Sequence, residues 1–292
     1  MMLNPWILAF RPKTLPAAVA PVLIGTAMAV GQGVQDYPVA LVALFGAVCI
    51  QIATNLANDY FDFKKGADTP DRIGPVRVSQ SGLIPPTDVR NAMFLVFGLS
   101  VAASCFLIYH AGWVIAVIGV LSILSGIFYT AGPRPLGYMG LGELFVLIFF
   151  GPVAVGGTYF VQSLELNGAV VLAGFGPGLL SVAILAVNNL RDRETDRRVR
   201  KNTLAVRFGR NFAVNEYIWS VVIAALVPVA VFVLTGEQPW SLLATGILFM
   251  AIPIFKIVLT KEDGPALNAA LASTGKMLFV YSCLFAVGWI VH

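Results

Sequence analysis

Charged side chains are scarce in this sequence. Of its 292 residues, 12% are charged and 58% are hydrophobic, whereas a soluble domain carries about 25% charged and roughly 45–50% apolar residues. A soluble fold of this length needs many polar residues on its surface, and here they are confined to a few segments. The composition therefore excludes an ordinary soluble domain and predicts an all-α integral membrane protein.

Cysteine and histidine are also rare. Cys49, Cys105 and Cys283 lie in apolar runs without C-x-x-C spacing, and the chain contains two histidines. These residues favour packing roles and argue against a zinc site made of thiolate and imidazole ligands. Arg11 and Lys13 precede the first apolar run, but no small-residue cleavage site follows, so the first span is expected to be retained.

Long apolar runs make up most of the chain. A helix needs roughly 20 residues to cross about 30 Å of hydrocarbon, and nine runs approach that length. The sequence therefore predicts one domain over residues 1–292, with nine transmembrane helices in a single bundle. They cover residues 14–30, 38–60, 88–110, 112–130, 141–161, 167–190, 212–235, 240–260 and 266–290.

Lysine and arginine fall on alternate connections between these runs. The connections after runs one, three, five and seven contain neither residue, and the other connections collect them. Basic residues favour the cytosolic side, so this pattern predicts a cytosolic N-terminus, a C-terminus outside, and cytosolic loops at about 61–87, 131–140 and 191–211. The net charge of +4 follows from this topology; the expected partner is membrane lipid, with no nucleic acid.

Two of the predicted cytosolic loops begin with clusters of Asp and Asn. Asn58 and Asp62 end the second run, and Asn188, Asp192 and Asp196 repeat the four-residue spacing at the end of the sixth. Residues four apart share one helix face. Equivalent positions lie 130 residues and four spans apart, so both clusters are expected on the same side of the membrane, as in a parallel repeat.

Oxygen-bearing side chains on two such clusters favour a hard cation. Mg²⁺ takes oxygen ligands and joins carboxylates to substrate phosphates, whereas softer metals prefer Cys and His. The predicted metal ligands are Asn58, Asp62, Asn188, Asp192 and Asp196, with a diphosphate as the bridge. The alternative is a pair of solvated helix caps, but repetition at a depth where acids are costly favours metal binding.

Basic residues follow each acidic cluster. Arg72 and Arg77 follow the first, and Lys201 and Arg207 follow the second. Guanidinium and ammonium groups suit a diphosphate, so these four residues, together with Asn55, are predicted diphosphate ligands. A role in topology or lipid contact alone is the alternative for each cation.

A third loop, rich in Gly and Pro, lies between Tyr129 and Tyr138. Its composition predicts a turn. An aromatic face also stabilises a nearby cation, so Tyr129 is a candidate to stabilise an allylic cation, and Tyr138 is a weaker one. Tyrosine at a membrane interface is common, which is the alternative explanation. Lys276, inside the ninth run, is left without a role.

These motifs resemble those of the UbiA-type superfamily of intramembrane aromatic prenyltransferases. The family carries Asn-Asp-x2-Asp-x3-Asp in one loop and Asp-x3-Asp in another; here they correspond to Asn58, Asp59, Asp62, Asp192 and Asp196. The last acid of the first motif would fall at Gly66, with Asp68 two residues later. The sequences over 58–68, 10–14 and 201–209 are similar to the branch that prenylates 1,4-dihydroxy-2-naphthoate, and the resemblance covers essentially the whole chain.

The resemblance implies an enzyme of menaquinone biosynthesis in the bacterial cytoplasmic membrane, with its active site facing the cytosol. Mg²⁺ would help diphosphate to leave, the naphthoate ring would attack C1 of a polyprenyl diphosphate, and loss of CO₂ would give a demethylmenaquinol. Asp59 or Asp68 is a candidate base for a phenol proton.

Other functions share part of this pattern. A sister enzyme that uses 4-hydroxybenzoate or homogentisate would keep the donor site and change the acceptor. An ion-coupled secondary transporter also has intramembrane acids and repeats, but here the acids lie at one face and not at the midplane. A CDP-alcohol phosphotransferase carries its aspartates in one run and needs Gly at the position of Phe63.

Overall fold

Helices form the framework of this protein. The computed structural model describes residues 4–67 and 74–291, and that part of the chain contains helices and no strand. The α-helices are α1 (Pro5–Phe10), α2 (Pro16–Gly31), α3 (Tyr37–Lys64), α4 (Pro86–Ala111), α5 (Trp113–Phe128), α6 (Gly142–Phe149), α7 (Pro152–Ser163), α8 (Gly168–Arg198), α9 (Leu204–Thr235), α10 (Ile247–Thr260) and α11 (Gly264–Ile290). Short 3-10 helices occur at Pro12–Thr14, Leu136–Tyr138 and Pro239–Gly246.

Seven stretches within the described residues are long and apolar enough to cross a membrane. They are α3, α4, α6 with α7, α8, α9, α10 with the 3-10 helix before it, and α11. Pro5–Thr14 and α2 meet at a bend of 48° and together could form an eighth, while α5 is a shorter apolar helix. The all-helical membrane architecture is confirmed; the count of nine spans and the orientation of the termini stay predictions.

Three of the predicted spans differ from the helices of the structure: one is broken, one begins as a 3-10 helix, and one belongs to a helix that starts earlier. The span predicted at 141–161 divides into α6 and α7, because Pro152 has no amide hydrogen and Gly151 leaves the helical conformation, with φ −114° and ψ −115°. The span predicted at 240–260 begins as a 3-10 helix. Helix α9 begins before the predicted residue 212 and bends at Gly209, where φ is 83°.

Helix α8 lies at the centre of the bundle. It packs against α2, α6, α7, α9 and α11, and 67% of its most apolar window is buried, compared with 28% for α4. Large apolar side chains such as Phe94, Val233 and Phe249 are exposed on other helices, as expected where helices face lipid. The second acidic cluster is therefore carried by the most enclosed helix.

Gly288 in α11 lies in close contact with the 3-10 helix Pro239–Gly246. A Cβ at this position would collide with the backbone of Trp240 and Ser241, which has no flexible side chain to move aside. We expect Gly288→Ala to destabilise the fold by about 1–3 kcal/mol. Gly98→Ala in α4, where nothing lies within 4 Å of the added carbon, should not. Thermal unfolding in detergent measures both, and equal midpoints would contradict the close contact.

Candidate active site

A cavity of about 370 Å³ runs between the helices. Polar side chains line the end where α3 and α8 carry the two acidic clusters, and apolar or small side chains line the remainder. The polar end includes Asn58, Asp62, Arg77, Asn188 and Lys201, and the apolar part includes Ile50, Leu107, Ile115, Phe149 and Val161. This shape suits a ligand with a charged head and a hydrocarbon tail.

An arginine and a tyrosine hold the first acidic cluster. Asp62 Oδ2 lies 3.1 Å from Arg77 Nη2, and its Oδ1 accepts a hydrogen bond from Tyr138 Oη at 2.9 Å. Asn58 Oδ1 accepts from Thr130 Oγ1 at 2.9 Å. Because Asp62 is only 5% exposed, these partners offset the cost of burying its charge. The structure thus brings Asn58, Asp62 and Arg77 to one place.

Asp59 has a different environment from its neighbours. Its two carboxylate oxygens accept the backbone N–H groups of Val78 and Ser79, both at 3.0 Å. It is 1% exposed and does not line the cavity. Asp59 therefore anchors the loop that presents Arg77, and its role as a base stays a prediction.

Asn55 lines the cavity, and its side-chain amide is hydrogen-bonded to residues near the N-terminus. Its Nδ2 donates to the Phe10 carbonyl and to Thr14 Oγ1, both at 3.0 Å. Gln51 Nε2 also donates to Thr14 Oγ1, at 3.3 Å. These bonds connect the end of α1 and the 3-10 helix after it to α3. The role of Asn55 as a diphosphate ligand stays a prediction.

Arg191 occupies the second acidic cluster. Its Nε and Nη2 lie 2.8 and 2.7 Å from the two oxygens of Asp192. The same guanidinium donates to Asn188 Oδ1 at 2.8 Å and to Asn268 Oδ1, on α11, at 2.7 Å. This role was not identified from the sequence, although Arg191 pairs with Asn188 and Asp192 within α8; the contact with Asn268 depends on how α11 packs beside α8. Two acceptor groups of the cluster are thus held by one buried cation.

Lys201 and Tyr138 connect the two clusters. Lys201 Nζ lies 3.3 Å from Asp196 Oδ1 and 5.9 Å from the centroid of the Tyr138 ring, whose hydroxyl bonds Asp62. On the same ring, Lys65 Nζ lies 5.1 Å from the centroid. Burial lowers the pKa of Lys65, and the charge of Asp62 opposes that shift. The site therefore combines both signs of charge around one tyrosine.

Tyr129 lies just after α5 and lines the cavity. Its carbonyl accepts the N–H of Gly137 at 3.0 Å, and a Cβ at Gly137 or Gly142 would lie 2.9 Å from its side chain. The Gly-rich loop thus fixes the ring at the cavity wall. Its role in stabilising an allylic cation stays a prediction.

Arg207 is not among the residues that line the cavity. Its Nη2 donates to the Met139 carbonyl at 2.8 Å and its Nε to the Asn202 carbonyl at 3.1 Å, while Asn202 N donates to the Tyr138 carbonyl at 3.1 Å. Arg207 therefore joins two loops beside the site, and its assignment as a diphosphate ligand stays a prediction.

Glu143 was not singled out by any motif. It lies in the first turn of α6, is 7% exposed, and accepts a hydrogen bond from Asn189 Nδ2 at 2.8 Å. Asn189 in turn lines the cavity. The available signal was a single acid at the start of an apolar run, since such a residue is costly in a membrane protein.

The donor atoms at the polar end fit a hard cation. Of the five predicted ligands, Asn58, Asp62 and Asn188 line the cavity, whereas Asp192 and Asp196 are not among its lining residues. All five offer amide or carboxylate oxygens, which suit Mg²⁺. Over residues 4–67 and 74–291, no three His, Cys, Asp or Glu side chains form a group that would hold a metal ion. Asp68 and Arg72 lie outside the described residues.

The fold and the site define a helical membrane protein with a charged site at one end of an apolar cavity. The profile of the UbiA prenyltransferase family matches residues 18–290, and the chain belongs to this family. It is 39% identical to the 1,4-dihydroxy-2-naphthoate octaprenyltransferase of Escherichia coli, over 97% of this chain and 94% of that one. To the Haemophilus influenzae protein of the same name it is 35% identical, over 99% and 96%.

Solved structures share this fold. A UbiA homologue from Archaeoglobus fulgidus bound to DMAPP and Mg²⁺ gives a TM-score of 0.66 at 14% identity, over 97% of this chain and 99% of that one. The homologue bound to GPP and Mg²⁺ gives 0.67 at 14% identity, over 96% and 99%. The profile match and the relatives confirm the family that the motifs indicated.

Asp59→Asn tests the anchoring of the loop. An amide offers one oxygen in place of two, so either Val78 or Ser79 loses its acceptor, at a cost of about 1–3 kcal/mol. We expect faster deuterium exchange over residues 77–80, measured by mass spectrometry, in a protein that still folds. Asp88→Asn, at an exposed position in the first turn of α4, is the control. Unchanged exchange would show that Asp59 is not the anchor.

Proposed function

We propose that this protein transfers a polyprenyl group from polyprenyl diphosphate to 1,4-dihydroxy-2-naphthoate, releasing diphosphate and CO₂ and forming a demethylmenaquinol. The observation that carries the proposal is similarity, over nearly the whole chain, to relatives named as octaprenyltransferases of this acceptor. A cavity that joins a charged end to an apolar length supports the same substrate class. Mg²⁺ as cofactor is supported by the homologue bound to DMAPP and Mg²⁺.

The proposal includes a topology. The bundle lies in the bacterial cytoplasmic membrane with nine spans, counting the bent pair at the N-terminus and the short α5. The N-terminus and the polar end of the cavity face the cytosol, and the C-terminus lies outside. The alternation of lysine- and arginine-bearing connections supports this orientation. Lipid surrounds the chain, and no nucleic acid takes part.

The polar end of the cavity serves the diphosphate. Mg²⁺ would be held by the predicted ligands Asn58, Asp62, Asn188, Asp192 and Asp196. When bound, it supplies Lewis-acid neutralisation of the leaving group. Two of the cations that line the cavity, Arg77 and Lys201, bind diphosphate oxygens. The prenyl chain then lies along the apolar part of the cavity.

The reaction forms one carbon–carbon bond. The C1–O bond of the donor breaks, and its electron pair leaves with the diphosphate. The ring carbon that bears the carboxylate bonds to C1; its bond to the carboxylate then breaks, CO₂ departs, and the pair returns to the ring. Tyr129 at the cavity wall stabilises positive charge on C1, and the apolar walls limit attack by water.

Turnover by the purified protein tests this function. With 1,4-dihydroxy-2-naphthoate and a polyprenyl diphosphate, we expect prenylated product and CO₂ only when Mg²⁺ is present. Asp62→Ala and Asp192→Ala should abolish both, because each removes a carboxylate predicted to bind Mg²⁺, whereas exposed Asp88→Ala should retain them. Mass spectrometry follows the product and the CO₂.

Other outcomes would redirect the proposal. Product with 4-hydroxybenzoate or homogentisate alone would keep the donor site and change the acceptor. If no acceptor is prenylated and liposomes show substrate-dependent ion flux, the chain is a transporter and the enzyme proposal is wrong.

Arg77 should act on the donor more than on the acceptor. Removing a charged hydrogen-bond donor costs about 1.5–3 kcal/mol, so Arg77→Ala should raise the KM for polyprenyl diphosphate roughly tenfold to a hundredfold. The KM for the naphthoate should change much less. Arg134→Ala removes an exposed arginine that does not line the cavity and is the matched control. Equal effects on both KM values would contradict a donor-specific role.

A further inference from the structure

Two adjacent asparagines on α8 face the cavity with opposite hydrogen-bonding constraints. Both Asn188 and Asn189 line it. Asn188 uses its oxygen to accept from Arg191 at 2.8 Å, so its amide hydrogens are left for other groups. Asn189 uses its nitrogen to donate to Glu143 at 2.8 Å. The charged partner of each amide thus determines which of its atoms is already hydrogen-bonded: the oxygen of Asn188, which accepts from a cation, and the nitrogen of Asn189, which donates to a carboxylate.

The contact with Glu143 determines what Asn189 offers to a ligand. A carboxylate only accepts hydrogen bonds, so the amide NH₂ must face it. No hydrogen bond to Asn189 Oδ1 is formed by the described residues. Asn189 is 4% exposed and Glu143 is 7% exposed, so solvent does not compete for either side chain as it would at the surface. An amide oxygen is thus held at the cavity wall as an acceptor.

The surroundings of this oxygen suit a flat aromatic molecule. Ser181 and Leu185 lie on the same stripe of α8 as Asn189, at four-residue intervals, and line the cavity. On α6, Phe145 and Phe149 also line it, with ring centroids 6.0 Å apart and planes within 12°. Phe145 and Phe149 therefore offer aromatic surface in the same cavity as Asn189, against which a fused ring system can stack.

We propose that Asn189 Oδ1 accepts a hydrogen bond from a ring hydroxyl of the aromatic acceptor, and that Glu143 is a positioning residue that holds the amide in this orientation. The inference rests on the proposed function, because a hydroxylated naphthoate is the expected acceptor. A hydroxyl that donates a hydrogen bond gains electron density on its oxygen, and this density is shared with the ring that attacks C1. The pair therefore contributes to acceptor binding and to ring reactivity.

Equilibrium binding tests the inference without turnover. The dissociation constant of 1,4-dihydroxy-2-naphthoate is measured with wild-type protein, Glu143→Leu, which has no acceptor for the Asn189 amide, and Asn189→Ala, with 2-naphthoate as the ligand that has no hydroxyl. Both variants should bind the dihydroxy compound about tenfold more weakly. Binding of 2-naphthoate should change less than twofold, because the lost hydrogen bond is absent from that complex in every protein.

Controls separate a hydrogen bond from general damage. Glu165→Gln removes an exposed carboxylate outside the cavity and should bind both ligands as the wild type does. Thermal unfolding in detergent confirms that each variant is folded; if Glu143→Leu is not, Asn189→Ala carries the test. The KM for polyprenyl diphosphate should stay within twofold of the wild-type value in both variants.

Two results would overturn the inference. One is unchanged binding of the dihydroxy compound to folded Asn189→Ala. The other is equal weakening for the hydroxylated and unhydroxylated ligands, which would show that the substitutions only distort the cavity. Failure of wild-type protein to turn over the naphthoate would count against the proposed function and is read separately from these binding constants.

Discussion

Burial of carboxylates inside a helical membrane bundle is the constraint on which the rest of this structure depends. Asp59, Asp62 and Asp192 are at most 5% exposed, and an unpaired charge at such positions would cost several kcal/mol. Asp62 is paired with Arg77, Asp192 is paired bidentately with Arg191, and Asp59 accepts two backbone N–H groups. Each acid therefore has its own partner: Arg77 and the N–H groups of Val78 and Ser79 come from the loop before α4, and Arg191 comes from α8 itself.

These pairings also organise the loops at the polar end. Asp59 fixes the turn that carries Arg77, and Lys65 donates to the carbonyls of Thr130 and Gly132 at 2.6 and 3.0 Å. Arg207 makes similar contacts with two other loop carbonyls. Charged side chains thus replace the packing that short Gly- and Pro-rich loops cannot provide. The few charged side chains of this sequence therefore hold the loops at the polar end of the cavity.

The sequence predicted the helices well because apolar runs must span hydrocarbon. It did not predict the break at Gly151 and Pro152, since the hydrophobic pattern continues through it. The start of α9 and its bend at Gly209 were missed because Arg207 and Arg210 placed this segment in a predicted loop. For the site, four-residue spacing placed the clusters on helix faces, and Asn58, Asn188 and Lys201 do meet at the cavity. Spacing carries no information about contacts between elements, so the Glu143–Asn189 pair and the carbonyl contacts of Arg207 were not predicted. The pairing of Arg191 with Asn188 and Asp192 was missed although these residues are neighbours on α8.

Adjacent residues on one turn of α8 illustrate how charged partners create chemical selectivity. Asn188 and Asn189 have identical side chains, but Arg191 engages the oxygen of one and Glu143 the nitrogen of the other. A diphosphate oxygen only accepts hydrogen bonds, so the oxygen of Asn189 does not match it, whereas a ring hydroxyl donates and is matched by that oxygen. The oxygen of Asn188, a predicted metal ligand, is held by Arg191 instead. The charged partner of each amide therefore determines which group that amide presents to the cavity, and neither Arg191 nor Glu143 lines the cavity itself.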